Sequence, residues 1–500
     1  MAALRRNILA NYLGQIWMAA MAVIFLPQYL HILGVEAFGL VGLMLSFQAI
    51  LQLFDFGIGG ATNRELARRA HNPALGGGSR DLVRTSEVVI WLLAAVIAVL
   101  MWFASSLLAN HWLHLRSIEP GQAGTAIAIM GVAIALLWPS TFYANCLSGL
   151  ERQPQLNAIL AVFATLRYAG VLPVLWALPS IEAFLFWHAL VGAAQSLVTA
   201  WMVWRYLPPG QRPARFTREA WQGSSRFAGG LFAIGVLALG VSQVDRLVLT
   251  SLRPLEEMGY YTLALSVAAG LGRMVQPMFN ALYPRFSRQV AQHDSAGLLE
   301  LYHLSSQCLA VVIASVAAVL VVFAHELLYL WTGDADLATK VAPALKLLVL
   351  GSALNGLMNI PYALQLAHGW TRLAAGLNAA SLALGLPLCL WAVARYGMEG
   401  AALPWLLANL VSVVVGIPWM HRRLLPGQAW RWYLQDNLPP LLAGAGVALA
   451  LHALLPTLTH SVAGLVWLGL AGGATLLASA LAAPAVRAMA GKWFTQHRPL

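Results

Sequence analysis

Apolar runs long enough to cross a bilayer, broken by short polar connections, follow one another along almost the whole chain. A helix needs about 20 apolar residues to span the hydrocarbon core. The pattern predicts about fourteen such helices, near residues 8–32, 38–61, 87–110, 123–147, 156–178, 182–205, 228–251, 258–284, 303–331, 341–367, 373–395, 400–420, 438–456 and 462–486. No connection is long enough to form a soluble domain. The expected fold is all-α, a polytopic membrane protein.

One stretch organises the rest. Glu36 to Arg69 reads EAFGLVGLMLSFQAILQLFDFGIGGATNRELARR, and Glu256 to Gln289 reads EEMGYYTLALSVAAGLGRMVQPMFNALYPRFSRQ. The two align without a gap at an offset of 220 positions, from 39 to 259. Glu36/Glu256, Gly39/Gly259, Leu43/Leu263, Leu45/Leu265, Ser46/Ser266, Ala49/Ala269, Leu51/Leu271, Ala61/Ala281 and Arg68/Arg288 are identical. That is roughly a quarter of the aligned positions, against roughly one in ten expected for so Leu- and Ala-rich a chain. The same offset relates Gly149 to Gly369 and Arg152 to Arg372. Six predicted helices separate the copies, an even number, so both copies enter the membrane in the same direction as parallel repeats. The expected organisation is a six-helix bundle over 1–206, a basic linker over 207–227, a second bundle over 228–424, and two extra helices with a tail over 425–500. A cleft between the bundles is the default substrate site.

Basic residues set the expected orientation. Arg5 and Arg6 precede the first span; Arg64, Arg68, Arg69, Arg80 and Arg84 follow the second; Arg152 follows the fourth. Arg205, Arg212, Arg215, Arg218 and Arg226 follow the sixth, Arg285 and Arg288 the eighth, Arg372 the tenth, and Arg422, Arg423 and Arg431 the twelfth. Arg487, Lys492 and Arg498 close the chain. The alternate connections are sparse or acidic, with Glu36, Glu119, Glu256, Glu257, Asp334, Asp336 and Glu399. Both termini are expected on the cytoplasmic side.

Composition agrees with the pattern: 60% of the residues are hydrophobic and 10% charged, against about 25% charged in soluble proteins. The net charge of +11 suggests nucleic acid in isolation. Its confinement to alternate connections points instead to anionic lipid headgroups and the positive-inside bias. The three cysteines, Cys146, Cys308 and Cys389, sit inside apolar runs and form neither a metal spacing nor a disulfide framework.

Polar residues inside the spans are the candidate chemistry, because ionisable groups at membrane depth cost about 3 kcal/mol and face protein or water. Gln48, Gln52, Asp55 and Gly59 share one face of the second span, and Arg273, Gln276 and Asn280 one face of the eighth. Asn11 and Gln15 add a polar face in the first span. By the repeat offset, Arg273 and Asp55 lie at similar depth. They form either a hydrated basic cavity suited to a diphosphate or a structural pair between the halves. Arg167, near the middle of the fifth span, is a substrate contact or an interhelical bond to a carbonyl. Asp245 and Arg246, towards the outer end of the seventh span, are a gate or coupling site, or a local ion pair reaching the headgroups. Lys346 is expected to reach the headgroups too. Ser352, Asn355 and Asn359 form a polar stripe of the kind that glues helices. His188 and His452 are isolated.

No GxxxxGK[ST], HExxH or GxSxG is present, so no ATP-binding loop, zinc site or hydrolase elbow is expected. No cofactor is called for. An enzyme that polymerises or ligates glycans needs catalytic groups in a sizeable outward loop. The outward connections hold about a dozen residues or fewer, ordinary connector length.

The stretches NYLGQIW, LPQYLHILGVEAFGL, FDFGIGGATNRELAR and QVDRLVLTSLRPLEEMGYYTLA resemble bacterial polysaccharide flippases, the Wzx-type O-antigen transporter group of the multidrug/oligosaccharidyl-lipid/polysaccharide exporter superfamily. The likeness covers about residues 1–420. It implies twelve to fourteen spans in two six-helix bundles and an alternating-access cavity. The implied substrate is an undecaprenyl-diphosphate-linked oligosaccharide, an O-antigen or exopolysaccharide repeat unit, carried across the bacterial inner membrane. The polysaccharide polymerase and chain-length machinery are the implied protein partners, with the bilayer itself and no nucleic acid. On this reading Arg273 and Arg167 hold the diphosphate, and Gln48, Gln52, Gln276 and Asn280 bond the glycan. A drug/cation antiporter of the same superfamily, which wants an acidic cavity, and a lipid II flippase are the alternatives.

Overall fold

Glycine, proline and short polar caps cut the apolar sequence into helices. In the computed structural model the described residues are 2–53, 57–70, 78–209, 212–218, 240, 242–454 and 461–489, with side-chain detail from Trp17 onward except at 19, 52, 53 and 70. The elements of the first part are α1 (Ala2–Leu33), α2 (Val35–Leu53), α3 (Ile58–Ala70), α4 (Ser79–Leu107), α5 (Pro120–Leu137), α6 (Pro139–Gly149), α7 (Gln153–Tyr168), α8 (Val171–Ala177) and α9 (Ile181–Tyr206). A helix over 242–252, α10, follows. Then come α11 (Leu255–Ala291), α12 (Ser295–Val322), α13 (Ala324–Thr332), α14 (Ala335–Leu357), α15 (Asn359–Ala367), α16 (Arg372–Val411), α17 (Ile417–Leu424), α18 (Leu438–Ala453) and α19 (Val462–Ala482). The described residues contain no β-sheet; the one bridge pairs His114 with Pro254.

The termini of these helices have local causes. Ser180 accepts from Ala183 N at 3.2 Å, Asp294 from Gly297 N at 2.9 Å and Asp334 from Leu337 N at 3.0 Å, each satisfying a first-turn donor. Gly333 ends α13 with φ +75°, where a side chain would be strained. Proline opens α5 and α6, where its missing N–H costs nothing.

Eight described segments are long and apolar enough to cross a membrane: Ser79–Trp112, Pro120–Gly149, Gln153–Ala177, Ile181–Tyr206, Ser295–Val322, Ala335–Ala367, Arg372–Leu424 and Val462–Ala482. Ala20–Leu33 and Val35–Leu51 are shorter apolar helices. The chain is thus an all-α polytopic membrane protein. The runs expected at 373–395 and 400–420 fall in one segment that turns at Gly397, whose φ is +57°. Most of the run expected at 228–251 lies outside the described residues.

The repeat recurs in the elements themselves. α2 begins at 35 and α11 at 255; the fourth expected span breaks between 137 and 139, and the tenth between 357 and 359. Each boundary lies 220 positions after its counterpart, the offset at which the residues match.

Two compact units divide the chain, Met1–Gly259 and Tyr260–Leu500. In the first, α5 packs between α4 and α9, α1 lies on α7, and α6 joins α3 to α9. Ile58, Leu66, Val83, Phe142, Tyr143, Phe163 and Val203 fill the core there. Glu87 of α4 is buried in that packing. It accepts from Tyr143 Oη at 2.6 Å and Trp204 Nε1 at 3.2 Å, and pairs with Arg84 at 2.7 Å. Part of the expected linker is pinned to α4: Arg212 Nη2 and Arg215 N donate to Asp81 at 2.8 and 2.9 Å, and Thr217 N donates to Thr85 Oγ1 at 3.0 Å. In the second unit α12 is central, packed by α14, α18 and α19, while α14 lies on α16.

Candidate functional site

The eighth expected span is α11, and its polar face stands open. Arg273, Gln276 and Asn280 share one side of this helix, and all three are exposed. Gly270 and Gly272, just above them, meet no atom of another residue where a Cβ would stand. Gln276 Nε2 donates to Asn280 Oδ1 at 3.1 Å. Arg273 has no carboxylate within ion-pairing distance among the described residues. Two prolines inside the helix, Pro277 and Pro284, have no N–H to return to the residue four positions back. Those residues are Arg273 and Asn280, so their carbonyls also lose the usual helical partner. Phe279 stacks on Tyr283 and Tyr362 with centroids 6.1 and 6.0 Å apart, giving the face an aromatic border. A guanidinium, two amides and two released carbonyls beside aromatic rings suit a ligand with an anionic group and hydroxyls.

The candidates of the first unit are placed differently. Gln48 is half-buried on α2. Asp55 lies outside the described residues, as do the side chains of Gln52, Asn11 and Gln15. Arg167, at the end of α7, is held inside the packing: its Nη2 donates to Gln195 Oε1 of α9, and Gln195 Nε2 reaches Ser140 Oγ of α6 at 3.4 Å. Its Nε is buried without a hydrogen-bond partner among the described residues. The partner is thus a glutamine side chain rather than the carbonyl considered from the sequence. His188 beside it stacks on Phe184 at 4.1 Å, its Nδ1 2.9 Å from the Phe184 carbonyl.

Asp245 and Arg246 lie on α10. Arg246 Nη1 donates to Gln243 Oε1, one turn back, at 3.0 Å. The next turn of α10 enters a clamp made by residues 112–117. Trp112 Nε1 donates to Thr250 Oγ1 at 3.3 Å, and Leu255 N donates to the His114 carbonyl at 3.0 Å. Arg116 N and Ser117 N donate to the Glu36 carboxylate at 2.6 and 2.7 Å, joined by the Ser117 hydroxyl, while Arg116 Nη1 reaches Glu256 at 3.4 Å. One loop therefore holds both glutamates of the repeated pair. Beneath it, a Cβ on Gly39 would stand 2.3 Å from the Leu255 carbonyl oxygen, and a Cβ on Gly259 would stand 2.3 Å from that of Val35. Leu255 is the repeat counterpart of Val35, so this crossing is reciprocal, as in a two-fold contact. All four residues belong to the first unit.

Other buried polar groups were not singled out in the sequence. His303 Nδ1 of α12 bonds Asp436 Oδ2, and its Nε2 donates to Gln428 Oε1 at 3.1 Å. Gln307 Nε2 donates to Asp436 Oδ1 at 2.9 Å, and Gln307 Oε1 accepts from Ala485 N at 2.8 Å. This node ties α12 to the turn of helix before α18 and to the chain leaving α19. The polar stripe of α14 is interhelical glue: Asn355 Nδ2 donates to Asn409 Oδ1 at 2.9 Å, and Trp405 Nε1 donates to Ser352 Oγ at 3.3 Å. His452 is not isolated, since its Nε2 lies 3.1 Å from Glu326 Oε1. Among the described residues no cluster of three metal-ligating side chains occurs.

Comparison with known proteins settles the family. The model described as "Polysaccharide biosynthesis protein" matches residues 4–290, and the one described as "MatE" matches residues 232–391. The chain belongs to the polysaccharide biosynthesis protein family. The family falls within the multidrug/oligosaccharidyl-lipid/polysaccharide exporter superfamily, a group of membrane transporters rather than enzymes. A "Putative O-antigen transporter" of Shigella flexneri is 21% identical over 407 residues, 78% of this chain and 91% of the relative. Two solved structures share the fold. The "Lipid II flippase MurJ, inward closed conformation" has a TM-score of 0.70 at 12% identity, over 98% of this chain and 99% of that one. The inward-facing conformation of a multidrug resistance MATE family transporter has a TM-score of 0.67 at 16% identity, over 81% and 94%.

Proposed function

We propose that this polysaccharide biosynthesis protein is a flippase. It carries a lipid-diphosphate-linked oligosaccharide, an O-antigen or exopolysaccharide repeat unit, across the bacterial inner membrane by alternating access. The observation that carries the reading is the open face of α11. There Arg273 presents a cation with no carboxylate partner among the described residues, beside Gln276 and Asn280: the cation suits a phosphate and the amides suit sugar hydroxyls. The family match over 4–290 and the name of the Shigella relative support it. The arginine pattern supports cytoplasmic termini, and the repeat supports two parallel six-helix bundles followed by two extra helices.

Arg273 and the Gln276–Asn280 pair are the primary substrate contacts, with Gln48 and Gln52 towards the glycan and Asp55 as a further contact. Asp245 and Arg246 serve the gate, next to the clamp that holds α10. Arg167 contributes positive potential from inside the packing. A drug/cation antiporter fits less well, because an exposed guanidinium repels a cationic substrate. A lipid II flippase shares the lipid diphosphate, and the fold likeness over 98% of the chain favours it as the second reading.

Deleting the gene in its host and fractionating the lipid-linked intermediates tests the proposal. A flippase of polysaccharide repeat units leaves completed units on the cytoplasmic face while surface polymer disappears. Trapped lipid II selects the second reading. Normal surface polymer with new sensitivity to cationic drugs overturns both.

A further inference from the structure

The last turns of α9 carry a feature that the transport reading does not use. Trp204 is covered by two guanidinium groups, Arg80 at 5.2 Å and Arg84 at 5.3 Å from its centroid. Arg205 lies 5.3 Å from the ring of Trp201. Arg84 is neutralised by Glu87, and Arg80 spends one Nη1 donor on the Pro208 carbonyl at 3.3 Å. Arg205 is exposed and has no carboxylate partner among the described residues. A guanidinium stacked on a ring keeps its N–H edge free and oriented, which suits a phosphate oxygen pair. The negative end of the helix accounts for about half a charge, less than Arg80 and Arg205 bring.

Below these cations runs an apolar track. Phe186, Leu190, Leu197 and Trp201 lie on one side of α9 and are 67%, 55%, 64% and 57% exposed. From Phe186 to Trp201 the track is about 22 Å long, more than the roughly 15 Å depth of one leaflet's hydrocarbon. It leads straight to Arg205. A charged clamp at the end of an exposed apolar stripe matches the outline of an anionic amphiphile.

We propose that this end of α9 is a binding site for an anionic phospholipid of the surrounding leaflet. The phosphodiester lies between Arg205 and Arg80, and an acyl chain lies along Trp201, Leu197 and Leu190. A bilayer lipid is the occupant favoured by the geometry, because every side chain of the track is more than half exposed and Trp201, one turn before Arg205 at the end of an apolar helix, suits an interfacial tryptophan. Anionic leaflets supply the complementary charge.

Thermal unfolding of the full chain in vesicles tests this. Phosphatidylcholine vesicles are compared with vesicles in which a quarter of the lipid is phosphatidylglycerol. The wild type is expected to unfold about 2–4 °C higher in the anionic vesicles, with the increment shrinking at high salt. The double variant Arg80→Gln/Arg205→Gln loses the increment. Arg205→Gln alone, which removes no hydrogen bond made among the described residues, reduces it. An increment retained by both variants overturns the proposal. An equal upward shift on adding inorganic diphosphate to phosphatidylcholine vesicles, lost in the same variants, overturns the assignment to a bilayer lipid and points to a diphosphate headgroup instead.

Discussion

The polar residues of this membrane protein fall into two kinds of place. Arg167 with Gln195 and Ser140, and His303 with Asp436, Gln307 and Gln428, are enclosed in helix packing and bonded to one another. Arg273, Gln276 and Asn280 stand on an exposed face whose nearest glycines have open space where a Cβ would stand. The side-chain chemistry is similar, but the energetics differ. An enclosed ionic node stabilises only while every member is satisfied, and removing one member leaves a buried charge alone. An open polar face adds little to stability and is free to bond a ligand. The enclosed nodes should therefore fail in folding, and the open face should fail in transport.

The largest expected effect breaks the enclosed side of this contrast. Asp436→Ala strands His303 and Gln307, and should destabilise the protein by about 3–5 kcal/mol, read as loss of folded protein in detergent thermal melts. Unchanged folding would make the node dispensable. On the open side, Arg273→Ala should lower surface polymer at least tenfold, about 1.4 kcal/mol in transport free energy, with protein level and melting temperature unchanged. A fall in protein level instead would return Arg273 to the structural class. The reciprocal crossing sharpens the comparison, since Gly39 carries no polar group at all. Gly39→Ala places a Cβ 2.3 Å from a backbone carbonyl oxygen and should cost about 1–3 kcal/mol by overpacking. Gly270→Ala, in open space, should cost nothing by overpacking and serves as its control.

The smallest effect concerns pH. Glu65, beyond the second span, is pushed up by burial, but hydrogen bonds and charge from Arg68 and Arg69 outweigh this and hold its carboxyl below the ordinary value of 4.5. The pair distances are 2.8 and 2.7 Å. A lowered folded-state value means that the contribution to stability is present above the unfolded carboxylate range and is lost as pH falls through the folded one. Glu65→Gln should flatten that acidic limb by less than about 1 kcal/mol, measured by unfolding at pH 7 and pH 3.5. A steeper limb in the variant would reverse the sign assigned here.

Much of the architecture was legible because it rests on local or periodic signals. The span expected at 182–205 is α9, Ile181–Tyr206, opened by Ser180 and closed where Pro208 follows. The repeat was legible because both copies need the same special residues: Gly39 and Gly259 are identical since each must let a carbonyl approach within Cβ distance. The polar face of Arg273, Gln276 and Asn280 was visible as a spacing on one helix. The His303–Asp436 node was not, because its members are 133 positions apart. Only the packing of α12 against the chain before α18 joins them. The stripe over Ser352 and Asn355 was visible, while its partners Trp405 and Asn409 were not.

The amino-acid sequence by itself determined that this chain is a helical membrane protein, where apolar helices such as α9 lie and that one unit is repeated at 220 positions. Apolar length, capping residues and identity at fixed spacing are one-dimensional properties. Only the tertiary structure decided which polar groups are enclosed and which stand open. Burial of a side chain depends on neighbouring helices that the sequence does not place, and the cost or use of a charge in a low-dielectric interior follows from its burial.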